Sequence, residues 1–308
     1  MKQLILCLIF FNGLQNSGSA QSEYQLPESV KRIVFLGNSI TWNGEYVNYI
    51  ETYFRTLKDG QPLEFINVGL PSETVSGLSE PNHAEGKFPR PNLHNRLTRV
   101  LQATKPDLVI ACYGMNDGIY LPFDEARFNK FKEGIRWLHN EIVSKGISVI
   151  HVTPPVFDER KGEAYANVLD IYSDWLISNR YTSDWDVIDI HWPMKKFLED
   201  QRLTDPSFFL AKDGIHPNST GHWLMAKEIL LFLGEDRVLT ASSIQEALPS
   251  SENVDQILHL VSERQKISRD AWLTHTGHKR PGLPEGLPIV EAKEKLNSID
   301  DKIDALLN

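Results

Sequence analysis

The sequence predicts an α/β fold, a parallel sheet covered by helices on both faces. Three observations carry this. Short apolar runs recur along the chain and stop at glycine, proline or a polar turn. Stretches with helical apolar spacing stand between them. Three short motifs rich in reactive or hydrogen-bonding groups each follow such a run within a few residues, at the strand ends where open α/β sheets bind their ligands.

Taken in order, residues 33–36 form the first buried strand, ended by Gly37, and 46–57 the helix after it. Residues 63–67 are a second strand, and 108–113, preceded by Lys105-Pro106-Asp107, a third. Residues 123–145 read as a helix, because Phe128, Phe131, Ile135, Leu138 and Ile142 fall on one face. A fourth strand, 147–152, stops at Pro154-Pro155, a helix spans 164–179, and 186–190 is a fifth strand. Asn218 caps a helix over 219–233. After Gly234 the character changes. Residues 251–272 look helical, 275–288 are rich in glycine and proline, and 289–307 return to helical periodicity with Glu and Lys interspersed. The expected organisation is a main domain over 21–234 and a helical extension over 235–308 that packs on it. A flexible linker with a terminal coiled segment is the alternative.

The 308 residues, 41% of them hydrophobic, suffice for a large core. A net charge of −9 without any basic stripe argues against nucleic acid as a partner, since that affinity is mostly cationic. The first 20 residues fit an export signal. Lys2 precedes an apolar run over 4–11, and Gly18-Ser19-Ala20 supplies the small residues of a cleavage site. This predicts cleavage near Ala20 and a periplasmic or extracellular protein. The run is too short for stable membrane insertion. Cleavage would remove Cys7 and leave Cys112 alone in an apolar run, which suits a small buried hydrophobe better than a catalytic thiol.

Four stretches carry the chemistry: Gly37-Asn38-Ser39, Asn67-Val68-Gly69, Gly114-Met115-Asn116-Asp117 and Asp213-Gly214-Ile215-His216-Pro217. Together they hold what an acyl-transfer site needs. A serine hydroxyl is a poor nucleophile until a base takes its proton, and Ser39 has a candidate base in His216. Asp213 stands three residues earlier, within reach to fix the imidazole tautomer and stabilise the imidazolium. The developing oxyanion needs donors. The backbone N–H groups of Ser39 and Gly69 and the side-chain amide of Asn116 are the candidates. A nucleophile elbow is not present, because Thr41 stands where that motif has glycine.

In order and in type, these four stretches resemble the blocks of the SGNH hydrolases, also called the GDSL esterase/lipase family. Ser39, Gly69, Asn116 and His216 match the four residues that name the family, and Asp213 its acid. The resemblance covers roughly residues 31–234. It implies a flavodoxin-like three-layer α/β/α sandwich and a serine esterase mechanism that needs no metal or cofactor. One departure is Asn38, where the family name implies aspartate.

Other candidates are weaker. His275 and His278 could hold a metal but lack acidic or cysteine partners at suitable spacing, so packing or solvation suits them better. Trp42, Tyr120, Trp192 and Trp223 flank the motifs and could form a sugar-stacking wall, or belong to the core. His83, Arg90 and His94 lie on a long loop that could shape a pocket. The expected function is an exported serine esterase acting on a small O-acyl group, acetyl foremost, of a carbohydrate or other small molecule. A lysophospholipase or short-chain lipid esterase is the alternative enzyme. A catalytically silent carbohydrate-binding protein is the alternative of another class. The sequence says nothing of oligomeric state.

Overall fold

The computed structural model describes residues 24–57, 62–248 and 253–307; the expected signal segment lies outside them. Five parallel strands form one sheet: β1 (Arg32–Gly37), β2 (Glu64–Asn67), β3 (Leu108–Cys112), β4 (Ser148–Val152) and β5 (Asp186–Ile188), in the order β2-β1-β3-β4-β5. The helices are α1 (Ser39–Asn43), α2 (Glu45–Arg55), α3 (Leu97–Thr104), α4 (Glu125–Val143), α5 (Glu163–Thr182), α6 (His191–Thr204), α7 (Ser219–Phe232), α8 (Ile244–Ala247), α9 (Val254–Thr276) and α10 (Ile289–Leu307). This is the α/β architecture expected, with the C-terminal helices present.

The chain runs from β1 outward to β2, then returns across β1 to β3 and continues to β5. With right-handed crossovers, that reversal puts α2 on one face of the sheet and α3, α4 and α5 on the other. Phe128 and Phe131 of α4 stack on Tyr172 of α5, with ring centroids 5.2 and 4.4 Å apart. On the opposite side α2 packs against α7. The reversal leaves a crevice at the carboxyl ends of β1 and β3, the position at which such sheets bind ligands. Register fixes the motifs there. Phe35 pairs with Asn67 and Gly37 with Cys112, so Ser39, Gly69 and Gly114 each follow their strands by two residues on one edge.

Cys112 is buried, its Sγ 3.6 Å from the Thr153 carbonyl, and burial pushes the thiol up to about 12. It is the small buried hydrophobe expected.

The segment after Gly234 belongs to the same body. Val238, Ala241, Ile244, Trp272 and Leu273 are buried in the main core. Helix α9 touches α2, β2 and α3, so it lies along the β2 edge of the sheet. There Gln265 Nε2 donates to the Phe65 carbonyl at 3.0 Å and also to the buried carboxylate of Glu51. An edge strand that would otherwise present free backbone groups is thereby covered. Helix α10 packs on α9 through Ile257, Val261, Ile299 and Ile303. The Gly/Pro-rich connection is also held in place. Gly286 N–H donates to Thr274 Oγ1 at 2.8 Å, and a Cβ at Gly286 would lie 2.1 Å from the Asp270 carbonyl oxygen, so only glycine fits. Among the described residues no helix is long and apolar enough to cross a membrane.

Candidate active site

Ser39 opens α1, where a strand-to-loop junction was expected. Asn38 caps this one-turn helix by accepting from Ile40 N–H at 3.0 Å, and Asn38 is itself buried. The cap explains why asparagine serves here: the task is to accept one backbone hydrogen bond, which a neutral amide oxygen does as well as a carboxylate. As the first helical residue, Ser39 has a backbone N–H with no intrahelical acceptor.

Ser39, His216 and Asp213 meet. Ser39 Oγ lies 2.8 Å from His216 Nε2, and His216 Nδ1 lies 2.6 Å from Asp213 Oδ2. The second Asp213 oxygen accepts from Ile215 and His216 N–H at 2.9 and 2.8 Å, which ties the carboxylate to the loop that carries the imidazole. Burial by itself would raise the Asp213 carboxyl. The hydrogen bonds from the His216 ring and from the two N–H groups outweigh it and hold the carboxyl below its ordinary value. With Asp213 ionised, the proton of His216 belongs on Nδ1, leaving Nε2 to accept from Ser39.

Gly69 and Asn116 stand at the neighbouring strand ends with donors already engaged. Gly69 N–H donates to Asn67 Oδ1 at 2.9 Å. A Cβ at Gly69 would come within 2.4 Å of Trp42 N, so glycine is what lets the second loop lie against α1. Asn116 Nδ2 donates to the Glu73 carbonyl at 3.0 Å, and its Oδ1 accepts from Tyr120 O–H at 2.9 Å. An amide nitrogen carries two hydrogens, so one Asn116 donor remains.

Several residues that arrange this edge were not singled out from the sequence. Asp117, fully buried, accepts from Val75, Ser76 and Gly114 N–H at 2.9, 2.8 and 2.9 Å and so clamps the second and third loops together. Burial raises its carboxyl despite these donors. Glu73 and Arg96 form a buried bidentate ion pair behind the same loops. His222 is fully buried at the foot of the cleft, where Asn43 Nδ2 donates to its Nε2 at 3.0 Å. Burial lowers His222 to about 4, so it is neutral with its proton on Nδ1.

The cleft over Ser39 encloses about 500 Å3 and is lined by Ser39, Ile40, Trp42, Asn43, Pro71, His216, Pro217 and His222 together with Arg280, Gly282 and Leu283. Three of these residues come from the C-terminal connection. Of the four aromatics expected as a wall, Trp42 alone lines this cleft. Trp223 is buried, with its ring edge-on to Tyr49 in the core, and Tyr120 lies mostly buried behind Asn116. Trp192 borders a separate surface cleft with Pro193 and Lys195. Arg90, expected on a pocket loop, is buried in a pair with Glu80, and His94 stacks on Trp137 at 3.6 Å between centroids. His275 packs edge-on to Trp272.

The five-stranded α/β fold that carries this serine–imidazole contact has relatives. A sequence model of the GDSL-like lipase/acylhydrolase family matches residues 35–224, and the chain belongs to that family. Among solved structures, a gut microbial diltiazem-metabolizing enzyme is similar with a TM-score of 0.54 at 21% identity, over 70% of this chain and 49% of that one; this chain thus spans about half of its length. An acetylxylan esterase from Geobacillus stearothermophilus, solved as a catalytic mutant, is similar with a TM-score of 0.52 at 20% identity, over 66% of this chain and 94% of that one. An alpha/beta hydrolase from the metagenome of Lake Arreo, Spain, gives 0.52 at 20%, over 66% and 95%. At these identities the likeness concerns the fold. Among curated proteins no sequence match is found.

Proposed function

We propose that this chain hydrolyses small O-acyl esters, acetyl foremost, on a carbohydrate, with Ser39 as nucleophile, His216 as base and Asp213 as the acid that orients it. The observation that carries this reading is the continuous relay from Ser39 Oγ through His216 to Asp213, at 2.8 and 2.6 Å. Ser39 Oγ attacks the acyl carbon while His216 Nε2 takes its proton. The tetrahedral intermediate collapses as His216 returns that proton to the leaving alcohol. Water then attacks the acyl-serine with the same base, and the acid departs. The oxyanion is met by the Ser39 N–H, the free Asn116 hydrogen and the Gly69 N–H. The last requires Gly69 to share or release its bond to Asn67 Oδ1.

Carbohydrate is favoured by the fold likeness to an acetylxylan esterase, whose solved catalytic mutants include changes at a serine, an aspartate and a histidine. An open cleft with Trp42 in its wall is consistent with a sugar-sized alcohol. The same reading takes 1–20 as an export signal, 21–234 as the esterase segment and 235–308 as its extension. The test is covalent labelling with a fluorophosphonate beside acetate release from acetylated glycans. Wild-type protein should be labelled at Ser39. Ser39→Ala should fold, escape labelling and lose turnover by several orders of magnitude. Wild-type activity in purified Ser39→Ala would remove Ser39 from the mechanism.

A further inference from the structure

Part of the cleft wall is built from the C-terminal connection, and its charged member is Arg280. Two of its donors are already used. Nε donates to the Pro71 carbonyl at 3.1 Å and Nη1 to the Pro281 carbonyl at 2.8 Å. The guanidinium also lies over the Phe88 ring, 5.5 Å from its centroid. These contacts hold the group by neutral partners on three sides. Among the described residues no carboxylate pairs with it, and Nη2 has no protein acceptor. Burial lowers Arg280, and no neighbouring carboxylate raises it again.

A half-buried guanidinium that is braced but unneutralised, in the cleft that holds the nucleophile, leaves its Nη2 edge free to receive an anion from a ligand. The nearest titratable groups do not provide one. His83 and His278 are both held below the ordinary histidine value, by burial first and then by neighbouring guanidinium groups, so both are neutral at pH 7. Glu80 is committed to Arg90 in a bidentate pair. The wall therefore offers one positive charge, which matches one negative charge on a ligand.

We propose that Arg280 selects acylated substrates whose alcohol part carries a monoanionic substituent, a carboxylate or a sulfate ester, received at the Nη2 edge of its guanidinium. This rests on the esterase reading of the Ser39 cleft and adds the substrate class to it. The hydrogen bond is charge-assisted at both ends but formed in an open cleft, so it should favour an anionic substrate over its neutral counterpart by about tenfold. Because the anionic group lies away from the scissile bond, ground state and transition state gain alike, and the preference should appear in KM rather than kcat.

The experiment compares three probes on the full chain: an O-acetylated methyl glucuronide, the methyl ester of that uronide, and an O-acetylated sulfated methyl glucoside. Wild-type protein should favour one or both anions over the neutral ester by about tenfold in kcat/KM, and the preference should shrink with added salt. Whichever anion is favoured more identifies the natural substituent. The ratio of the favoured anion to the methyl ester should fall to about one in Arg280→Gln and keep an intermediate value in Arg280→Lys, which retains charge but not the fork. Titration calorimetry of the three probes against Ser39→Ala reads the same preference without chemistry. That arm separates a failure of this inference from a failure of the esterase reading. Equal kcat/KM for both anions and the methyl ester in the wild type, equal binding of all three probes by Ser39→Ala, or a preference that survives in Arg280→Gln would each overturn the assignment.

Discussion

Arg96→Met should destabilise the protein more than any change at the rim of the cleft, and the reason lies in Glu73. That carboxylate is 0% exposed and Arg96 2%. Arg96 Nε and Nη2 meet the two Glu73 oxygens at 2.6 and 2.7 Å, and Tyr113 O–H adds a bond of 2.7 Å. Methionine fills much of the arginine stem but leaves an ionised carboxylate in the core with only a phenol for company. Removing one partner of a buried pair costs about 3–5 kcal/mol. The wild-type pair is itself imperfect, since Arg96 Nη1 has no partner among the described residues, which favours the lower end. At roughly 2–4 °C per kcal/mol for a domain of this size, melting should fall by about 6–12 °C. Activity should suffer as well. Arg96 Nη2 holds the Val68 carbonyl at 2.9 Å beside Gly69, and the Glu73 carbonyl holds Asn116. Two of the three proposed oxyanion donors, Gly69 and Asn116, would loosen, lowering kcat more than it raises KM. Calorimetric melting at neutral pH checks the stability term, and acetyl-ester kinetics on the folded fraction the catalytic one. The double variant Arg96→Met with Glu73→Leu should recover most of the loss, because no charge is left unpaired. A single variant melting within about 2 °C of wild type, or a double variant no better than the single, would show that this pair does not hold the loops.

Three further outcomes are expected. Asn116→Ala should lower kcat by roughly 10²–10³ with little change in KM, the usual cost of one oxyanion donor; a raised KM at constant kcat would assign Asn116 to ground-state binding instead. Glu228 has its carboxyl raised to about 7 by burial, so the folded state holds that proton more tightly than the unfolded one and is penalised as pH climbs from about 4.5 through 7. Glu228→Gln should therefore stabilise the protein by something on the order of 2 kcal/mol at about pH 8 and by almost nothing near pH 4, read from urea unfolding at the two values. A chain ending at Leu233 should melt lower or precipitate, because it uncovers the core against which Val238, Ile244, Trp272 and Leu273 pack; equal melting of the truncated and full chains would make the extension dispensable for stability.

The sheet was legible because its strands are buried on both faces and read as short apolar runs, each ending within two residues of its observed end. Helices α4 and α10 were legible from spacing, and α7 from its Asn218 cap, which accepts from Gly221 N–H at 2.9 Å. Helix α1 was not, because Ser39-Ile40-Thr41-Trp42-Asn43 contains β-branched residues, spans barely more than one turn and owes its form to the Asn38 cap and to packing. Helix α6 was hidden by Pro193, which reads as a breaker but stands in the first turn, where its missing N–H costs no hydrogen bond. The meeting of Ser39 with Asp213 and His216 was expected from motif order, and strand register places Ser39 but not the other two, which lie on the loop between α6 and α7. The side chains that brace them were not expected. Glu73 with Arg96, Asp117 with Val75 and Ser76, and Asn43 with His222 pair across long separations, and nothing in the local pattern of either partner announces the other.

The C-terminal extension shows most clearly what a linear reading leaves out. Its glycines and prolines suggested either a tether or a packed connection, and the choice between them depends on contacts made elsewhere. Arg269 of α9 donates to the Trp42 carbonyl at 2.7 Å and lies over the Trp42 ring at 4.2 Å, so the extension fixes a residue of the cleft from behind. Arg99 of α3 donates to the Thr276 and Gly277 carbonyls at 2.8 and 2.9 Å, which turns the chain back at the end of α9. Gly286 then seats the returning strand of chain against α9. Between these two anchors the connection reaches the cleft, where Arg280, Gly282 and Leu283 join its wall. The four motifs place a serine, an imidazole and their partners on the sheet edge, whereas part of the cleft wall is built from sequence beyond them. If the proposed roles of Ser39 and Arg280 hold, chemistry and substrate selection are separated along the chain, and a change at Arg280 should alter what the cleft accepts without moving the Ser39–His216 contact.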